Sequence, residues 1–304
     1  MNLSVDIGKL RLKNPVTVAS GTAGYGEELS RYYDISRLGA IFTKGLSLEP
    51  RSGNRGPRVL ETPAGMLNSI GLENVGLKKF LEEKMPFLRE KGATVIPNVA
   101  GHSEEENVAL CEALSHTEGI SAVELNVSCP NVKEGGMAFG RNMPVFTRLL
   151  REARRVTRGV LIVKLSPNVT DPAEFARAAE DLGADAVSAV NTFLGMKIDI
   201  KKRAPHFRNR VAGFSGPAIR PIAVRMVYEC ARLVRIPVIG MGGIASARDA
   251  IEFLIAGASA VQVGTANFAD PFIWPKLVDG LTDYLSRHRL ARVSDLVGTL
   301  DTSR

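Results

Sequence analysis

Residues 237–266 read PVIGMGGIASARDAIEFLIAGASAVQVGTA. Two short apolar runs, Pro237 to Gly240 and Ala260 to Gly264, flank an amphipathic stretch of helical length from Ser246 to Ile255. Continuous apolar strands separated by helices are typical of a parallel sheet that is buried on both faces. This stretch therefore predicts a strand–helix–strand unit, in which glycines follow each apolar run.

The same alternation extends over most of the chain. Six further apolar runs predict strands at Val16 to Ser20, Ala40 to Thr43, Thr94 to Val99, Ala122 to Val127, Val160 to Leu165 and Ala186 to Val190. Helical patterns lie between them, among others at Ser103 to His116, Met143 to Thr157, Asp171 to Leu182 and Pro217 to Leu233. Eight strand–helix units in roughly 250 residues favour a closed (β/α)8 TIM barrel over an open doubly wound sheet. We expect a single α/β domain over residues 1–304.

Three connections are longer than ordinary barrel loops: Gly45 to Glu73, Ser128 to Asn142 and Asn191 to Gly216. Each follows the carboxyl end of a predicted strand. In a barrel these ends form the catalytic face, so long loops there are expected to line or cover a site. The tail from Leu281 is expected to form a last helix with a polar end.

Composition narrows the class of protein. The 304 residues are 45% hydrophobic, carry a formal net charge of +7 and contain three cysteines. The basic residues form no stripe interleaved with aromatic side chains, so nucleic-acid binding is not expected. No run of eighteen apolar residues and no signal-peptide pattern is present, which predicts a cytoplasmic protein without membrane attachment. No CxxC pair or HExxH motif suggests a metal.

The glycines after the last two predicted strands suggest a phosphate site. The segments IGMGGI (239–244) and VQVGTA (261–266) place glycine where a backbone N–H can approach a phosphate closely. Glycines that merely turn a strand into a helix are the alternative. Their occurrence at two successive strand ends favours the phosphate.

Polar residues end six strands whose interiors are apolar: Ser20, Lys44, Asn98, Asn126, Lys164 and Asn191. In a barrel, these positions converge at the mouth. Lys164 alone leaves two interpretations open. It could form a Schiff base, as in barrel aldolases, or it could provide a fixed positive charge beside the pyrimidine end of a flavin.

Two loops add candidate chemistry. ELNVSCPNVK (124–133) places Cys129 before a glycine-rich segment that could close over the mouth, so we predict an acid–base or nucleophilic role for it. Cys111 and Cys230 lie in helical patterns and are interpreted as small buried hydrophobic residues. In MLNSIGLEN (66–74), asparagine side chains and a Gly71 turn could hold a carboxylate or an imide edge, although an Asn-rich turn is also common without function.

Together, these segments resemble class 1 dihydroorotate dehydrogenase, in particular the class 1B catalytic subunit. The resemblance covers nearly the whole chain. Its most specific stretches are MLNSIGLEN, ELNVSCPNVKEGGMAFG, VNT with the later FSGPAIRP, and IGMGGI with VQVGTA, in the family's order.

The resemblance implies a flavin mononucleotide (FMN) site at Ser20, Lys44, Gly45, Asn98, Asn126, Lys164, Val190, Gly216, Gly242, Gly243, Gly264 and Thr265. The last four would hold the phosphate. It implies that dihydroorotate is held by Lys44, Asn68, Ser69, Ile70, Gly71, Leu72, Asn126, Asn191 and Thr192. Cys129 would be the base that removes the C5 proton while the C6 hydride passes to FMN N5.

The loop after Cys129 resembles class 1B rather than class 1A, whose homodimers reduce fumarate. Class 1B implies a partner subunit with FAD and a [2Fe-2S] cluster that passes electrons to NAD, in a heterotetramer of two catalytic and two electron-transfer subunits. This chain has too few cysteines to hold the cluster alone. Class 2 enzymes use serine as base and carry an N-terminal membrane-associated extension, and neither feature is seen. A Lys164 lyase, a non-catalytic flavin-binding barrel and a dehydrogenase of another dihydropyrimidine are the remaining alternatives.

Overall fold

The computed structural model describes residues 1–127 and 139–303. Its strands, in chain order, are β1 (Val5–Ile7), β2 (Leu10–Leu12), β3 (Val16–Val18), β4 (Ala40–Phe42), β5 (Val59–Thr62), β6 (Gly65–Asn68), β7 (Val95–Ile96), β8 (Asn98–Val99), β9 (Ala122–Asn126), β10 (Val160–Lys164), β11 (Ala186–Ala189), β12 (Phe193–Met196), β13 (Ile198–Asp199), β14 (Ala204–Pro205), β15 (Val211–Ser215), β16 (Val238–Met241) and β17 (Ala260–Val263).

The α-helices are α1 (Gly76–Lys79), α2 (Met85–Glu90), α3 (Glu104–Ser115), α4 (Met143–Val156), α5 (Pro172–Asp181), α6 (Arg220–Leu233), α7 (Ala247–Ile255) and α8 (Ile273–Arg287). A π-helical turn, Phe80–Lys84, joins α1 to α2. Short 3-10 turns lie at Leu29–Arg31, Ile35–Arg37, Pro217–Ile219, Thr265–Phe268 and Val293–Leu296.

A parallel barrel forms the centre of the molecule. Its strands are hydrogen-bonded in the order β7, β4, β3, β17, β16, β11, β10, β9, β8. Pro97, which has no N–H to donate, separates β7 from β8, so one predicted strand forms two short ladders. β7 pairs with β4 and β8 pairs with β9, and the ring therefore closes through Pro97. The predicted (β/α)8 barrel with eight strand positions is confirmed.

Burial explains why these segments form the barrel. All the residues of β10, β11, β16 and β17 are buried, as expected for strands covered by side chains inside and helices outside. The surrounding helices bury one face each, and side-chain caps fix several of their starts. Ser103, for example, accepts from the N–H of Glu106 at the start of α3. The barrel and its helices share one hydrophobic core.

Two smaller sheets close the ends of the barrel. The order β12, β15, β6, β5 makes an antiparallel sheet at the C-terminal mouth, built from two long connections that are distant in sequence. At the opposite end, the β1–β2 hairpin packs close to the start of β11, since a Cβ on Gly8 would lie 2.9 Å from Asp185 Cβ. The antiparallel sheet therefore forms a roof over the mouth, and the β1–β2 hairpin lies at the N-terminal end.

The helix bounds predicted from sequence agree well with the structure, but the strands inside two of the long connections were not predicted. α3, α4, α5 and α7 lie within one residue of their predicted bounds at each end. The last helix starts at Ile273, eight residues before the predicted Leu281, because an apolar stripe that includes buried Trp274 and Leu277 belongs to it. The connections 45–73 and 191–216 contain strands rather than loops alone. Within the described residues, no helix is long and apolar enough to cross a membrane.

Candidate functional site

A cleft opens at the carboxyl ends of the barrel strands, below the antiparallel sheet. It holds about 1410 Å³ of empty space, part of it open to solvent. Each of the eight barrel strand positions contributes a residue to its wall, from the strand itself or from the two residues after it. This is the face where barrel enzymes place their chemistry.

Glycines shape one end of the cleft. Gly216, Gly242 and Gly243 all have positive φ, at 105°, 133° and 74°. A Cβ on Gly243 would lie 2.7 Å from the carbonyl oxygen of Gly216, and one on Gly264 would lie 3.0 Å from Thr22 Cγ2. Side chains would therefore fill or distort this end, which glycine leaves open to a ligand.

The N–H groups of Gly242, Gly243 and Thr265 have no acceptor within hydrogen-bonding distance in the part of the chain that the structure describes. Thr265 Oγ1 donates to Ser215 Oγ at 2.8 Å beside them. Several backbone donors around a glycine-lined hollow suit an anion such as phosphate. We refer to Gly216, Gly242, Gly243, Gly264 and Thr265 as the glycine cradle.

The other end of the cleft is lined by amides and lysines. Asn126 and Lys164 lie opposite each other in register at the ends of β9 and β10. Asn126 Nδ2 donates to Asn98 Oδ1 at 3.4 Å, and Asn191 Nδ2 donates to Asn126 Oδ1 at 3.2 Å. Lys164 is almost fully buried, with its Nζ 3.6 Å from Glu124 Oε2. This end offers hydrogen bonds and positive charge to a polar ring.

Lys44 is held at the cleft by an ion pair. Its Nζ donates to Glu73 Oε2 at 3.1 Å, and Arg58 Nη1 lies 3.1 Å from the same oxygen. The hydrogen bond and charge of Lys44, followed by Arg58, hold the pKa of Glu73 below its ordinary value. The Glu73 carboxylate thus links Lys44 to the loop that carries Arg58.

A buried carboxylate lies beneath the cleft. Glu124 is fully buried, and its oxygens accept from Asn98 Nδ2 at 2.6 Å, Ser188 Oγ at 2.7 Å and Gln262 Nε2 at 2.7 Å. Gln262 lines the cleft, and its Oε1 is buried without a hydrogen-bond partner among the described residues. This buried oxygen beside the cleft can accept a hydrogen bond from a donor on a ligand.

The structure brings most of the predicted site residues together. The cleft is lined by Ser20, Lys44, Gly45, Asn68, Ile70, Gly71, Leu72, Asn98, Asn126, Lys164, Val190, Asn191, Thr192, Gly216, Gly242, Gly243, Gly264 and Thr265. Ser69 is not brought to the wall: it is buried in the loop, where Asn54 Nδ2 donates to its Oγ at 3.2 Å. Cys129 lies outside the described residues.

Cys111 and Cys230 are buried away from the cleft, as expected for small hydrophobic residues. Burial raises the pKa of each thiol to about 12. Neither thiol is therefore suited to act as a base at neutral pH.

Sequence reasoning missed Glu124, Gln262, Ser188 and Ser215. Glu124 and Gln262 are single polar residues inside apolar strands, and that exception was the available signal, because a charged residue is rarely buried without partners. Ser188 and Ser215 are too ordinary in such positions to be singled out. The hydrogen-bond partners of Glu124 lie up to 138 residues away along the chain.

A closed (β/α)8 barrel that joins a glycine cradle to buried lysine and amide groups has the architecture of a barrel enzyme that binds a phosphate-bearing cofactor. The family model described as dihydroorotate dehydrogenase matches residues 2–285.

Among similar proteins, the dihydroorotate dehydrogenase B (NAD(+)) catalytic subunit of Thermoanaerobacter pseudethanolicus is 52% identical over 300 residues, covering 99% of both chains. The proteins of the same name from Trichlorobacter lovleyi and Bacteroides fragilis are 50% identical over 299 residues and 51% identical over 300 residues. These matches cover 98% of both chains and 99% of both chains, respectively. The chain belongs to the dihydroorotate dehydrogenase family and is an oxidoreductase.

Proposed function

We propose that this protein oxidises dihydroorotate to orotate in pyrimidine biosynthesis, as a single FMN-binding barrel domain over residues 1–304. The observation that carries the proposal is the cleft itself, in which a cradle suited to phosphate and a wall suited to a polar ring lie in one space. The names and full-length similarity of the relatives support the same substrate.

The residues of the cleft fit FMN. The phosphate would lie at Gly242, Gly243, Gly264 and Thr265, where backbone N–H groups are free to donate. The rest of the cofactor would be contacted by the remaining predicted residues, Ser20, Lys44, Gly45, Asn98, Asn126, Lys164, Val190 and Gly216. The unpartnered Oε1 of Gln262 adds an acceptor at this wall. When bound, FMN would accept the hydride from substrate C6 at N5.

The chain's own residues bind and orient the substrate. Lys44 offers a cation to the dihydroorotate carboxylate, with the loop residues Asn68 to Leu72 beside it. Asn126, Asn191 and Thr192 offer amide and hydroxyl groups to the pyrimidine edge. Ser69 would act by holding this loop through Asn54 rather than by side-chain contact.

Cys129 is proposed as the base that takes the C5 proton. In the sequence it follows Val127, the first residue after β9, by two positions. A Cβ on Gly140 would lie 2.6 Å from the Val127 carbonyl oxygen, so Val127 and Gly140 lie next to each other in the fold. Val127 adjoins Asn126, which lines the cleft. Thiolate would be the reactive form.

Electrons would leave through a partner subunit that carries FAD and a [2Fe-2S] cluster and reduces NAD, in a heterotetramer of two catalytic and two electron-transfer subunits. The words "NAD(+)" and "catalytic subunit" in the relatives' names support NAD as the acceptor and the existence of a further subunit. Co-expression with the partner and analytical ultracentrifugation would test it, and a chain that remains alone would contradict it.

A dehydrogenase of another dihydropyrimidine is the competing function. Stopped-flow flavin reduction separates the two when dihydroorotate is compared with dihydrouracil, which lacks the carboxylate. Because Lys44 lies at the cleft, we expect dihydroorotate to reduce the flavin at least tenfold more efficiently, equivalent to roughly 1.4 kcal/mol. Equal or better reduction by dihydrouracil would favour the competing function.

A further inference from the structure

A chain of amide hydrogen bonds runs from the cleft into the barrel and ends at Glu124. Asn191 Nδ2 donates to Asn126 Oδ1 at 3.2 Å, and Asn126 Nδ2 donates to Asn98 Oδ1 at 3.4 Å. Asn98 Nδ2 then donates to Glu124 Oε2 at 2.6 Å. All three bonds have the same direction, from the cleft toward the carboxylate.

The direction follows from the chemistry of the last acceptor. A carboxylate can only accept, whereas each amide can donate from one side and accept on the other. The Asn98 amide must therefore turn its NH₂ group toward Glu124, and its oxygen then faces Asn126. The same constraint passes to Asn126 and Asn191 in turn. If any one of these amides were inverted, two N–H donors or two acceptor oxygens would face each other.

Glu124 also sets the orientation of the Gln262 side-chain amide. Gln262 Nε2 donates to Glu124 Oε1 at 2.7 Å, which leaves Gln262 Oε1 as the atom without a partner among the described residues. Lys164 Nζ lies 3.6 Å from the other carboxylate oxygen. The carboxylate thus sets which side-chain atoms of Asn98 and Gln262 face away from it, and it balances the charge of Lys164.

We propose that Glu124 is a positioning residue that sets the hydrogen-bonding direction of Asn98, Asn126 and Asn191 and thereby the pattern of donors and acceptors offered to the pyrimidine. This inference rests on the proposed function, in which Asn126 and Asn191 contact the substrate. Glu124 itself is fully buried and does not line the cleft, so its action passes through the amides.

Glu124→Gln separates this role from simple packing. Glutamine keeps the shape but adds an NH₂ group, so it can donate to Asn98 and allow the whole chain to invert. The negative charge beside Lys164 is lost at the same time. An unbalanced Lys164 would favour the more negative, reduced flavin.

Ser188→Ala is the matched control. Ser188 Oγ donates to the same carboxylate at 2.7 Å, yet its removal leaves the charge of Glu124 and the amide chain in place. Both variants are expected to lower the melting temperature. Only Glu124→Gln is expected to change the ligand properties of the cleft.

The experiment uses FMN-loaded protein and two readouts that do not depend on turnover. Orotate is titrated while the flavin spectrum is recorded, and the two-electron midpoint potential of the flavin is measured. For Glu124→Gln we expect the orotate Kd to rise at least tenfold and the reduction equilibrium to shift at least tenfold toward reduced flavin, which is about 30 mV. Both quantities should stay at wild-type values in Ser188→Ala.

A Glu124→Gln protein with wild-type orotate Kd and potential would overturn the inference, as would equal changes in Ser188→Ala. If Glu124→Gln does not fold, Asn98→Ser still tests the inference. It cuts the chain but keeps the carboxylate, so orotate binding should weaken tenfold or more, and unchanged binding would contradict the inference. Wild-type protein that binds neither FMN nor orotate would instead refute the proposed function.

Discussion

Gly243→Ala tests the glycine cradle most directly. Gly243 has φ of +74°, and an added Cβ would lie 2.7 Å from Gly216 O and 2.9 Å from Arg220 Cβ. The left-handed backbone costs a residue with a Cβ about 1–2 kcal/mol. Overpacking against fixed backbone adds about 1–3 kcal/mol. We therefore expect the free energy of unfolding to fall by about 2–5 kcal/mol.

Gly298→Ala provides the matched control, because Gly298 has φ of +69° and no atom within 4 Å of the added Cβ. It should lose only the backbone contribution of about 1–2 kcal/mol. Urea unfolding of both variants measures the difference, which is the cost of the close approach at Gly243. Equal losses in the two variants would show that no close approach exists.

The same pair of variants tests what the cradle binds. Displacing a backbone N–H from a phosphate removes a charge-assisted hydrogen bond of about 1.5–3 kcal/mol, so FMN should bind Gly243→Ala about 10- to 100-fold more weakly. Riboflavin, which has no phosphate, should bind it almost as well as it binds the wild type. Isothermal titration of both ligands gives the two ratios. A parallel loss of riboflavin affinity would refute a phosphate at the cradle.

The Cys129→Ser variant should still bind FMN and orotate. Its anaerobic flavin reduction by dihydroorotate should slow at least tenfold, because an alcohol is a weaker base than a thiolate. An unchanged reduction rate would exclude Cys129 as the base. In the wild type, this reduction rate should rise with pH toward the ordinary thiol pKa of about 8.5, and a flat profile would argue against a thiolate. Burial raises the pKa of the Cys111 thiol and of the Cys230 thiol to about 12. Both should therefore react with a thiol reagent only after the protein is unfolded. Rapid labelling of either thiol in the native protein would contradict the structure. The hydrogen bond from Lys44 lowers the pKa of the Glu73 carboxyl in the folded protein. The ionised carboxylate therefore stabilises the folded state at pH values above the ordinary pKa of 4.5, and this stabilisation is lost as the pH falls through the lowered pKa of the folded state. Unfolding of the wild type and Glu73→Gln should therefore differ at neutral pH and converge in acid, and a constant difference would disprove the linkage.

The barrel could be predicted from sequence because its determinants are local. Each strand is a short apolar run followed by a polar residue or glycine, and each helix has its own periodicity and cap, as with Ser103 before α3. The division at Pro97 follows from the missing N–H of proline, but the sequence alone did not show that the two halves would pair with different neighbours.

The roof of the cleft could not be predicted in the same way. β6 and β15 are short, and they pair over 145 residues of chain, as in the contact between Asn68 and Gly213. Such pairing depends on the finished barrel bringing the two connections together. The role of Glu124 could not be predicted for a related reason, since its partners Ser188 and Gln262 lie on strands that are distant in sequence. The polar strand ends were predictable because barrel geometry alone makes them converge.

The central claim is that the cleft binds FMN and transfers a hydride from dihydroorotate to it. An anaerobic titration of the FMN-loaded protein with dihydroorotate tests this claim, with absorbance followed at the oxidised-flavin band at about 450 nm. We predict stoichiometric bleaching of that band with formation of orotate. Flavin that binds but stays oxidised at saturating dihydroorotate would contradict the claim.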